Sequence, residues 1–233
     1  MGKTSRLFVT GDTHGSIGME KLGSAVFKEG KNLGKNDYVL VAGDLGVLWD
    51  GGKGDRKLLE WVDKRPFTTL FIDGNHENFD LLNAYPVTRW CGGQVHQIGR
   101  SLIHLMRGQV FILSNMTIFT FGGAASTDRE WRKEQVNWWP EEMPSAAEMA
   151  EGLANLEKRH WEVDVVITHT APTRLLGKAQ RAGRREVKPD ALTDYLDHIY
   201  EHLKWKKWLF GHFHTDQKVS EQATAVYSDF VLL

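Results

Sequence analysis

LFVTGDTHG (residues 7–15) is the stretch on which the fold turns. LFVT (7–10) is a continuous apolar run, the pattern of a strand covered on both faces, and it stops at Gly11-Asp12, where a loop with polar chemistry begins. The pattern recurs. YVLVAGD (38–44) runs into GDLG (43–46), and TTLFIDGNH (68–76) into GNHE (74–77). VDVVITH (163–169) ends in THT (168–170), and KKWLFGHFH (206–214) in GHFH (211–214). Helices are expected over 17–29, closed by Gly30, over 53–65 up to Pro66, over 144–160, and over 189–203 with Asp190 near its start. Ser145 and Glu148 have capping-box spacing at the third of these. Strands alternating with helices imply βαβ units and a buried sheet, whose sites gather outside the carboxyl ends of the strands.

The middle of the chain differs. QVHQIG, LIHLMRG, QVFILS and TIFTFGG (roughly 94–123) are short, Gly-punctuated strand candidates of antiparallel character. Residues 124–144, AASTDREWRKEQVNWWPEEMP, are polar with three Trp and read as an inserted loop near the site. Residues 172–188 read as a basic loop, and the tail TAVYSDFVLL as β-like. With 233 residues and a net charge of −1, the chain has the size of one large domain, and nothing global favours a polyanionic partner. A lone Cys91 excludes an internal disulfide framework. No apolar signal core opens the chain and no run reaches the ~18 apolar residues of a spanning helix. A cytoplasmic enzyme with no membrane contact is the expectation; oligomeric state is unreadable.

Asp12, His14, Asp44, Asn75, His76, His169, His212 and His214 all fall at the ends of apolar runs, and five of the ten histidines lie inside the five strings. Carboxylates, an amide oxygen and imidazoles suit borderline divalent transition metals. One catalytic ion takes about three protein ligands and an open position, so this set points to two.

The order D-x-H, GD, GNHE, H, GHxH resembles the calcineurin-like metallophosphoesterases, over residues 11–214. The resemblance implies an α/β fold, a four-layer α-β-β-α sandwich with two central mixed sheets, filled by residues 1–233 as one domain. It also implies a dinuclear centre: Asp12, His14 and His214 on one ion, Asn75, His169 and His212 on the other, and Asp44 bridging. A carboxylate bridge holds such ions about 3.5–4 Å apart, and a shared water is acidified into the nucleophile. The ions implied are Mn²⁺, with Fe, Zn, Ni or Co as rivals. His76 is implied to contact the phosphate, as proton donor or transition-state stabiliser; Glu77 either orients it or caps the following helix.

The reaction expected is hydrolysis of phosphate mono- or diesters by direct transfer to water, with no covalent intermediate. Related Ser/Thr protein phosphatases and diadenosine tetraphosphate hydrolases carry an Arg in GDxVDRG, whereas this chain reads GDLGVLWDGG. Arg129 and Arg132 in DREWR are the substrate-binding candidates, since guanidinium forks suit phosphate oxygens. A rival is a nuclease gripping DNA or RNA through 174–188, which carries six basic residues and one acid. Another is a non-catalytic scaffold with a vestigial site; such proteins lose ligands, and this chain keeps all seven.

Overall fold

Strand β1 (Leu7–Thr10) is buried at every position, as its unbroken apolar run requires. The computed structural model describes residues 5–183 and 186–233. β2 (Tyr38–Ala42) and β3 (Thr68–Ile72) lie parallel to β1 in the order of the sequence, with Leu7 opposite Tyr38 and Tyr38 opposite Thr68. The first sheet runs β13-β1-β2-β3-β6-β5-β4, where β4 is Val87–Trp90, β5 Gly93–Gln97, β6 Leu102–Leu105 and β13 Val231–Leu232. The second runs β11-β12-β10-β9-β8-β7. Its strands are β7 (Gln109–Leu113), β8 (Met116–Phe121), β9 (Val165–Thr168), β10 (Lys207–Phe210), β11 (Gln217–Lys218) and β12 (Ala223–Ala225).

Alternation along each strand sorts the layers. Leu7, Val9, Leu40 and Leu70 face Phe111, Ile118, Ile167 and Leu209 between the sheets. Phe8, Val39, Val41 and Phe71 point outward and pack with Val62 of helix α1 (Lys53–Asp63) and Leu82 of helix α2 (Phe79–Asn83). On the far side Phe119, Val166, Trp208 and Phe210 pack against α3 (Ala146–Glu157), α4 (Thr173–Gly183) and α5 (Ala191–His202). Two mixed sheets flanked by helices are therefore the architecture. Among the described residues no helix is long and apolar enough to cross a membrane.

Several elements depart from the sequence reading. The strands of 94–123 split between the sheets: β5 and β6, with the earlier β4, form an antiparallel edge whose β6 runs parallel to β3, while the β7–β8 hairpin joins β9. Residues 17–29 form no α-helix. Gly18 and Gly23 end short 3-10 turns at Gly15–Ile17 and Met19–Leu22, and a third follows at Lys28–Asn32. The basic segment is helix α4 as far as Gly183, not a loop; Arg184 and Arg185 lie outside the described residues. Leu175, Leu176 and Ala179 form its buried stripe, which the interleaved charges disguised. The three remaining helices match at their starts, α1 at Lys53, α3 with a Ser145–Glu148 box and α5 capped by Asp190.

Candidate metal centre

The loops that follow β1, β2, β3, β9 and β10 leave the carboxyl edges of the two sheets and meet there. His214 Nε2 lies 3.1 Å from Asp12 Oδ2 and 3.0 Å from His14 Nε2. His14 Nε2 is 3.8 Å from Asp12 Oδ2 and 3.7 Å from Asp44 Oδ2. On the other side of Asp44, His169 Nε2 sits 3.5 Å from Asp44 Oδ2 and 3.2 Å from Asn75 Oδ1. The His212 ring packs edge-to-face on His169 at 5.1 Å, and its backbone N–H donates to Asp12 Oδ1. All seven expected ligands and His76 thus converge, with His76 stacked edge-on against His14 at 5.0 Å.

Three overlapping sets bring candidate ligand atoms within 4.8 Å of one another: Asp12, His14 and His214; His14, Asp44 and His76; Asp12, Asp44 and His169. The first is the trio expected for one ion. The other two both run through Asp44, in keeping with its central place.

The donor set fits divalent cations. Asp12 and Asp44 are buried, and no described residue donates a well-aligned hydrogen bond to either Oδ2. Two such carboxylates buried in a ring of imidazoles call for positive charge beside them, which the His169 imidazolium or a divalent ion in its place supplies. Burial alone would lower the His169 pKa, yet Asp44 and Asp12 raise it to about 9. Its Nδ1–H donates to Ala42 O at 2.7 Å, which turns Nε2 inward, where a bound cation would displace the Nε2 proton.

Four of these residues adopt left-handed backbone: His14 (φ 50°), Asp44 (52°), His212 (68°) and His214 (49°). Such conformations cost on the order of 1–3 kcal/mol each and cluster at functional sites. The turn in GHFH is therefore made by the histidines themselves. The glycines mostly make room: a Cβ at Gly43 would fall on the His169 ring, and one at Gly74 on the Asp44 carboxylate.

Around the ligands lie residues that the motifs did not reveal. Lys21, 9 % exposed, donates to the carbonyls of Gly11, Asp12 and Tyr227 at 2.5–2.8 Å. Burial lowers its pKa to about 8. The Tyr227 ring stacks on His214 at 4.8 Å. Glu77 takes neither expected role. Its Oε1 accepts the Leu45 amide, bracing the GDLG loop, and Asn78 caps the helix Phe79–Asn83. Asp73 is paired with Arg107 at 2.6 Å, and Arg107 also donates to Glu141 O, tying the insert to β3.

The insert also reaches Asn75. Asn75 Nδ2 donates to Ser126 Oγ at 3.1 Å, and Ser126 donates to Glu142 through both Oγ and N. Glu142 is 2 % exposed. Because the carboxylate takes the Ser126 hydroxyl proton, the oxygen lone pair faces Asn75 and selects its NH₂, leaving Oδ1 toward the centre. Neither Ser126 nor Glu142 belongs to a motif, so sequence gave no signal for them. Ser126→Ala is expected to release the amide and weaken retention of one ion about 10–100-fold, the usual cost of losing a partner of a ligand. Ser126→Thr should retain it. Metal content measured after dialysis checks this; two ions held by the alanine variant as tightly as by wild type would refute it.

Of the two arginines, only Arg132 reaches the site. It is held by Asp128 at 2.7 and 2.8 Å and by Asn137 O, and its Nη2 lies 3.4 Å from His76 Nε2. Arg129 instead lies over the Trp138 ring at 4.0 Å. Burial lowers the His76 pKa to about 4, Arg132 and His14 acting with it against Asp44. The imidazole is neutral at neutral pH. A cleft of about 1100 Å³, lined by His14, His76, His214, Trp131 and Arg132, opens over the centre.

A family model described as calcineurin-like phosphoesterase matches residues 5–216. No curated protein matches the chain.

Proposed function

The chain belongs to the calcineurin-like phosphoesterase family, and from that premise we propose that it hydrolyses phosphate mono- or diesters with two divalent ions. The observation that carries this reading is the pair of buried carboxylates, Asp12 and Asp44, whose Oδ2 atoms face a ring of imidazoles and fall in the ligand sets described above. Asp12, His14 and His214 would hold one ion and Asn75, His169 and His212 the other, with Asp44 between them. When bound, the pair supplies Lewis acidity and an acidified water as nucleophile.

The chain's own groups do the rest. His76, neutral and beside the centre, offers an N–H to a phosphate oxygen. Between the two roles the sequence left open, that favours transition-state stabilisation over proton donation. Arg132, fixed by Asp128, presents its guanidinium edge at the same wall of the cleft. Mn²⁺ remains the ion to try first. Against the nuclease reading, one of the cations of α4 is engaged, Arg174 being paired with Asp197 at 2.9 Å and with Glu201 at 3.6 Å.

The test is turnover by protein reconstituted with Mn²⁺ on a nitrophenyl phosphomonoester, a bis-nitrophenyl phosphodiester and single-stranded DNA. Hydrolysis of a small ester that stops on chelation supports the proposal, whereas cleavage of DNA alone would make the protein a nuclease. Within the insert, Arg132→Ala is expected to lower kcat/KM about tenfold or more, given roughly 1.5–3 kcal/mol for a charged hydrogen bond. Arg129→Ala should leave the kinetics unchanged. Equal effects of the two would contradict the division seen here.

A further inference from the structure

Among the described residues, the two most exposed large hydrophobic side chains are Trp131 at 83 % and Ile17 at 82 %. Both line the cleft over the metal centre. Single exposed apolar residues are ordinary, but exposed apolar side chains lining one cleft beside a polar site mark a surface for a ligand. Trp49 and Leu58 line the same cleft, and Trp49 is braced edge-to-face on buried Trp139 at 5.8 Å. The other two Trp of the insert, Trp138 and Trp139, are buried and pack it onto the body. Trp131 is left open to solvent, directly following in sequence by the arginine that faces His76.

An indole next to a guanidinium, both facing one phosphoesterase cleft, match a planar group joined to a phosphate. We propose that Trp131 and Ile17 form a subsite for a nucleobase and that the substrates are small nucleotides. The base stacks on Trp131 while the phosphate lies by His76 and Arg132. This rests on the phosphoesterase reading above. Size and charge single out a small nucleotide over a polymer. A volume of about 1100 Å³ slightly exceeds the usual small-molecule range of roughly 300–1,000 Å³ and is still on the scale of one small ligand. Its lining carries Asp50, Asp55 and Asp128 against only Lys57 and Arg132, whereas a nucleic-acid backbone requires an excess of cations.

The experiment is calorimetric titration of the Mn²⁺-loaded protein with adenosine 5′-monophosphate and with ribose 5-phosphate, which has the phosphate but no base. The wild type should bind the nucleotide at least about tenfold more tightly, within the range of one base–aromatic stack. Trp131→Ala should bring the two ligands to within about twofold of each other, and Trp131→Phe should keep most of the preference. Equal or absent binding of the two by the wild type, or a preference untouched in Trp131→Ala, overturns the proposal. So does a single-stranded 20-mer that binds through Trp131 more tightly than the mononucleotide, or Trp131-dependent sedimentation with phosphatidylcholine–phosphatidylglycerol vesicles. Failure of the underlying reading looks different: no ester is turned over, whatever the binding shows. Ester hydrolysis without base preference defeats the subsite alone.

Discussion

Asp44→Asn is expected to abolish most turnover, by at least about 10²–10³-fold, the loss that follows removal of one preorganised charge from an active site, and to release at least one ion. The substitution is nearly isosteric. Asn tolerates the left-handed conformation that Asp44 adopts at φ 52°, and its side-chain oxygen can still accept the His76 backbone N–H that now lies 2.7 Å from Oδ1. The loop therefore keeps its shape while the charge between the two ligand sets is gone. A second readout works without metal. Asp44 is the foremost group that holds the His169 pKa up against burial, so in the variant the imidazole should give up its proton at lower pH, as an NMR titration of the metal-free protein would report. Two ions retained with near-wild-type turnover would remove Asp44 from its place between the ions.

His76→Ala should separate chemistry from metal binding. The ring stands beside His14 and within reach of Arg132, and its backbone N–H, retained in alanine, still ties the loop to Asp44. Both ions are expected to stay while kcat falls about 10²–10³-fold, as for removal of one charge-stabilising donor. With burial holding the imidazole neutral, the contribution proposed for it is a hydrogen bond and not a delivered proton. The defect should then be similar for good and poor leaving groups, and His76→Asn should recover part of it. A defect that vanishes with a nitrophenyl leaving group would identify a proton donor instead. Loss of metal in step with activity would make His76 a ligand, in line with its membership of one possible ligand set with His14 and Asp44.

The sequence was most legible where a feature repeats locally. Buried runs such as LFVT and VVIT declare parallel strands because both their faces are covered, and the polar residues after them mark the site at once. Ser145 and Asp190 announce their helices because a cap is a contact between residues three apart. What stayed hidden depends on distant partners. Lys21 reads as a surface lysine until its three carbonyl acceptors, one of them 206 residues away, are assembled around it. Ser126 and Glu142 are ordinary insert residues until Asn75 arrives between the layers. Arg129 and Arg132 are indistinguishable in DREWR; only the 3-10 turn at Arg129–Trp131 sends one to Trp138 and the other to His76.

The span between His14 and His214 bears on how the protein is made. Those two nitrogens, 3.0 Å apart, are separated by 200 residues, and Tyr227, stacked on His214, hands its carbonyl to Lys21 and to the Gly11 amide. During synthesis Asp44 follows soon after the loop with Asp12 and His14, but His214 comes 200 residues after His14. At about 5–20 residues per second that interval lasts on the order of ten to forty seconds. A growing chain thus presents only fragments of the proposed ligand set until His212 and His214 are made. Were the proposed ions to bind, their selection would fall to the folded chain, whose geometry, and not the order of encounter, would govern which ions it keeps.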